Sequence, residues 1–116
     1  MRETFKGEKR NSEDDHAVSI WTFIDTGVEI TQDGREINLL FIPYSKIGCF
    51  SIQTFYVERY KQSERYQEKW YGVKFSIVRT GNNNLSDNFF SLSFSDSDYG
   101  KYCIERIKEI LQAKLS

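Results

Sequence analysis

At 116 residues and 13.7 kDa the chain has the size of a single domain, large enough to bury a real core. A hydrophobic share of 39% and a charged share of 28% argue against both a disordered tail and a membrane protein. Sixteen basic and seventeen acidic residues leave a net charge of −1, which predicts no general attraction to nucleic acid or to a membrane surface.

Residues 1–15 are polar and mixed in charge. They predict a mobile N-terminal arm, with at most a short edge strand around Thr4 and Phe5, ahead of a folded domain over residues 16–116. Val18, Ile20, Thr22 and Ile24 alternate with Ser19, Trp21, Phe23 and Asp25, the period of a strand. Asp25-Thr26-Gly27 supplies a tight turn, and residues 28–31 form the next strand. Asp33-Gly34 then marks a hairpin, because both residues tolerate positive φ. The returning strand is expected to carry Ile37, Leu39 and Phe41 on its inward face, with Asn38 opposite, and to end at Pro43, which cannot donate to a ladder.

Residues 47–60 are rich in β-branched and aromatic side chains and predict a long strand. Lys61-Gln62-Ser63-Glu64-Arg65 is its polar turn, and residues 66–79 return with Val73, Phe75 and Ile77 on one side. Thr80-Gly81-Asn82-Asn83-Asn84 reads as a loop. Phe90, Leu92 and Phe94 alternate with serines in a last strand. The period then changes. Several candidate N-caps in Ser95-Asp96-Ser97-Asp98 precede Cys103, Ile107, Ile110 and Leu111, whose spacing places them on one face of a helix over residues 98–114.

Short connections imply antiparallel neighbours, and one apolar face per strand implies a sandwich or partly open barrel covered by the helix. The fold class is therefore mainly β (α+β). Gly27-Val28-Glu29-Ile30-Thr31-Gln32-Asp33-Gly34-Arg35, followed by Ile42-Pro43-Tyr44-Ser45-Lys46-Ile47, resembles bacterial pleckstrin-homology-like domains. The resemblance runs from about residue 18 to about residue 115 and implies an antiparallel sandwich or partly open barrel of 6–7 strands with one C-terminal amphipathic helix. Six strands are clear, so a seventh would lie within residues 2–6. The hexapeptide has a structural reading: proline ends a strand, Tyr44-Ser45-Lys46 turns the corner, and Ile47 re-enters the core.

The inventory for chemistry is thin. The lone histidine, His16, borders the expected arm, and Gly27, Gly34 and Gly48 are isolated, so neither nucleophilic catalysis nor a phosphate-cradling loop is predicted. Glu13-Asp14-Asp15 reads as solvated, and Asp96 with Asp98 as helix capping. No enzyme activity, cofactor or metal is expected. Cys49 and Cys103 are too few for a disulfide scaffold and are expected as buried, unpaired thiols. With no apolar N-terminal stretch, and no run approaching the roughly 20 apolar residues of a membrane span, a reducing, cytoplasmic setting is expected, and the resemblance implies a bacterial one.

One segment stands out. In residues 55–71, Phe, Tyr and Trp interleave with Arg, Lys and Glu. Cross-strand pairing in a solvent-facing hairpin explains that composition, and so does a protein-contact surface. A stacking platform for single-stranded nucleic acid would use the same residue types, but Glu58, Glu64 and Glu68 nearly cancel the cations. Arg59, Tyr60, Arg65 and Tyr66 are the candidate protein-binding residues, being of types enriched at contact hot spots. The short Asp25-Thr26-Gly27 turn has no cation, so no phosphoinositide signature is present. The resemblance implies a non-enzymatic protein-interaction or self-assembly module that binds a protein partner or forms a homo-oligomer. The alternative is a small phage or mobile-element effector that binds and inhibits a host protein.

Overall fold

The computed structural model describes residues 1–10, 16–32, 38–78 and 89–116. Its strands are β1 (Arg2–Arg10), β2 (His16–Ile24), β3 (Gly27–Gln32), β4 (Asn38–Pro43), β5 (Ile47–Lys61), β6 (Glu64–Ile77) and β7 (Phe89–Ser95), followed by the helix α1 (Asp98–Leu115). The strands form one antiparallel, unclosed sheet in the order β4-β3-β2-β1-β7-β6-β5, and α1 covers its inner face. This is the mainly β, pleckstrin-homology-like layout expected. Among the described residues, no helix is long and apolar enough to cross a membrane.

The sheet curls over its core. Trp21 on β2 meets Phe75 on β6 with ring centroids 5.1 Å apart, although β1 and β7 lie between them in the sheet order. Both rings are buried, and their edge-on angle of 63° suits the aromatic quadrupoles. The expected face of α1 is buried in full: Cys103, Ile107, Ile110 and Leu111, joined by Gly100 and Ile104. Ser97 is the N-cap, its hydroxyl accepting from the Gly100 amide at 3.0 Å.

Where the sequence predicts an arm over residues 1–15, Arg2–Arg10 is instead an interior strand, with β2 on one side and β7 on the other. Its polarity hides this, because Phe5 is the one large apolar side chain it buries. Gly7 shows how tightly β1 sits. A Cβ there would lie 2.6 Å from the Ser93 carbonyl oxygen and 2.9 Å from the Phe94 ring, so β7 crosses where only glycine leaves room. Gly100 is the same kind of position, since its Cβ would fall 2.1 Å from the Ser95 carbonyl oxygen, where the first turn of α1 rests on the end of β7.

β4 corrects a second expectation. Leu39 and Phe41 face outward and are exposed, whereas Ile42 is buried. Pairing of Val28 with Ile42, and of Ile30 with Leu40, puts the even-numbered residues on the core side. Ile37, the Asp33-Gly34 turn, the loop from Thr80 and Glu13-Asp14-Asp15 lie outside the described residues.

The hexapeptide behaves as expected. β4 ends at Pro43, Tyr44–Lys46 forms a 3-10 turn, and Ile47 is buried. The Tyr44 hydroxyl donates to the Ile24 carbonyl at 2.7 Å. Burial, and then the negative charge of Asp25, pushes the Tyr44 phenol up to about 12.

Candidate protein-interaction site

β5 and β6 pair without interruption from Phe50↔Phe75 out to Lys61↔Glu64, while β7 follows β6 only as far as Trp70↔Ser95. Beyond that point, among the described residues, the ribbon has two strands. Lone two-stranded ribbons are marginal in water, so this one depends on its own cross-strand contacts. The tip closes through Gln62 and Ser63, both left-handed, with φ of 52° and 67°. Two successive positive φ values give the turn whose twist matches that of the flanking strands.

Register sorts the candidate residues onto two faces. Arg59 lies opposite Tyr66 on one, and Tyr60 opposite Arg65 on the other. The four do not form a single surface. By period two, the Arg59–Tyr66 face also carries Phe55, Val57, Glu68 and Trp70, and it is the anchored side. Phe55 and Trp70 stack at 6.4 Å, and Val57 is buried. Glu68 accepts from the Trp70 indole at 2.7 Å and lies 3.8 Å from the Arg59 guanidinium. The Arg10 guanidinium, itself buried, covers the Trp70 ring at 4.3 Å and ties the ribbon's base to the end of β1.

The other face carries Tyr56, Glu58, Tyr60, Arg65, Gln67 and Lys69. Arg65 pairs with Glu58 at 2.6 Å on this face, leaving little net charge. Tyr56 is 59% exposed and Tyr60 69% exposed. Tyr56 is absent from the sequence-derived candidates. Counting back by two from Tyr60 through Glu58 would have found it. The site is thus a near-neutral ribbon face with two tyrosines flanking an ion pair, a surface able to bury aromatic area and exchange hydrogen bonds through phenol and amide groups.

Other polar features have local roles. The Tyr71 hydroxyl donates to Asp96 at 2.8 Å, while Asp98 occupies the first turn of α1. Cys49 corrects an expectation: it is exposed on β5, its thiol 3.3 Å from the Ser76 hydroxyl, because the register shift between Ile47 and Phe50 displaces it from the core. Cys103 is buried, and burial pushes its thiol up against a smaller opposing effect from Tyr99. A cleft of about 290 Å³ between β1 and β7 is lined by Lys6, Glu8, Trp70, Ser93, Ser97 and Tyr99. Among the described residues, no three His, Cys, Asp or Glu side chains are grouped to hold a metal. Compared with known proteins, the chain matches no family model, no curated protein and no solved structure.

Proposed function

We propose that the chain is a non-catalytic protein-interaction module of pleckstrin-homology-like type and that the Tyr56–Tyr60 face of its hairpin is the contact surface. One observation carries this reading: two tyrosines, 59% and 69% exposed, share one face of a ribbon that extends beyond the rest of the sheet. The ribbon's stability is supplied by its other face, through Phe55, Val57 and Trp70, so exposed tyrosines on this side are not needed to hold it. Tyrosine gives a large contact at low entropic cost, and the Glu58–Arg65 pair supports a protein surface over a polyanion. The resemblance of Ile42–Ile47 to bacterial pleckstrin-homology-like domains supports the same class.

The test compares the wild-type chain with Tyr56→Ala/Tyr60→Ala as bait in lysate of the source organism, beside their melting temperatures. A protein retained in stoichiometric amount by the wild type and lost by the variant, with melting unchanged, is the expected result. Equal retention by both chains, or a lowered melting temperature with retention intact, would overturn it. Salt-sensitive binding of single-stranded oligonucleotides that the variant loses would give the surface to nucleic acid instead.

A further inference from the structure

The sheet has two edges, and they differ. β5 forms one; its ladder is broken between Ile47 and Phe50, and its outer part carries Glu58, Arg59 and Lys61. Interrupted pairing and charge are devices that keep an edge from recruiting a further strand. β4 forms the other, and among the described residues it pairs with β3 alone. Asn38–Pro43 holds no charged residue, and its proline comes at the end. Leu39, Leu40 and Phe41 are 65%, 45% and 46% exposed, so both faces of this edge offer apolar surface to water.

We propose that β4 pairs antiparallel with β4 of a second copy of this chain, about a two-fold axis normal to the sheet and centred on Leu40. In that register Leu39 lies opposite the partner's Phe41 on the outer face, and Leu40 opposite the partner's Leu40 on the inner face. Every exposed apolar side chain of the strand then meets another. No like charges are brought together within the strand, and Glu29, beside Phe41 on β3, is already paired with Arg2 at 3.8 Å. An identical strand therefore complements this edge on both faces. The two-fold contact uses the same β4 edge of both copies, so it closes at a dimer. A seam one short strand long, roughly 20 Å, falls short of a standard interface, so the dimer is weak and reversible. The seam and the hairpin face are separate surfaces, and either can fail without the other.

Light scattering over a concentration series tests the pairing. The mass should rise from 13.7 kDa toward twice that value for the wild type and for Tyr56→Ala/Tyr60→Ala. Leu39→Lys alone and Phe41→Glu alone should each abolish the rise. The double variant Leu39→Lys/Phe41→Glu should restore it in a salt-sensitive form, because the register places each introduced lysine opposite the partner's introduced glutamate. Independently, Leu40→Cys in a Cys49→Ser background should form a disulfide-linked dimer on mild oxidation, and Gln112→Cys in the same background should not. A wild type that stays at the mass of one chain, single variants that still dimerise, a double variant as monomeric as the singles, or equal cross-linking at the two positions would each overturn the proposal.

Discussion

Arg106 of the terminal helix holds Glu3 of the first strand. Its Nε donates to both carboxylate oxygens, at 3.1 and 2.8 Å; its Nη2 bonds one of the same oxygens, while Nη1 donates to Glu109 at 3.0 Å. The contact joins positions 103 residues apart. It locks β1, whose sequence has little apolar content, to the element that closes the core.

This clasp makes part of the stability depend on pH. The hydrogen bond from Arg106 holds the Glu3 carboxyl below its ordinary 4.5, against a smaller opposing effect of burial. A carboxylate held low in the fold contributes stability above its unfolded value and loses that contribution as pH falls through its folded value. Glu3→Gln should therefore melt below the wild type near neutral pH, and the gap should narrow in acid beneath 4.5. Other carboxylates titrate in both proteins and cancel in the difference. Thermal melts at neutral and acid pH measure it, and a gap that is constant or grows in acid would contradict the assignment.

The helix face yields a packing prediction. Ile107 is fully buried against the sheet, whereas Glu105 is exposed. Ile107→Ala should lower the unfolding free energy by about 2–5 kcal/mol, through lost transfer energy and the cavity left behind. Glu105→Ala should change it by less than about 0.5 kcal/mol. Urea denaturation of the two variants checks the contrast.

The helix was legible in the sequence because its apolar spacing matches one period and no other, and Cys103, Ile107, Ile110 and Leu111 fall where that period puts them. β4 was not, because Leu39, Leu40, Phe41 and Ile42 are apolar on both faces and alternation cannot choose between them; pairing with β3 does. β1 escaped for the opposite reason. Its neighbours supply the core, so it needs little beyond Phe5, with Gly7 making room for β7. At the candidate site the hairpin itself was legible, but not its register. Tyr60 and Tyr66 are close in sequence, yet cross-strand pairing sets them on opposite faces, whereas Tyr56 shares the face of Tyr60 by the strand period alone.

The two cysteines should react differently. Cys49 is exposed and Cys103 buried, and both are free. Titration of the native protein with an aromatic disulfide should release one equivalent promptly, and unfolding without reductant should release a second. Prompt release of two equivalents would contradict the burial of Cys103, and release of none after unfolding would contradict free thiols.

The central claim is that the Tyr56–Tyr60 face of the hairpin meets a protein partner. The most direct measurement replaces Tyr60 with a photo-cross-linking amino acid in the source cells, with the same replacement at exposed Gln112 on α1 as control. Discrete adducts to a specific protein from position 60, absent at position 112 and lost when Tyr56→Ala is added, are the predicted result. No adduct at position 60, or the same adducts from both positions, would contradict it.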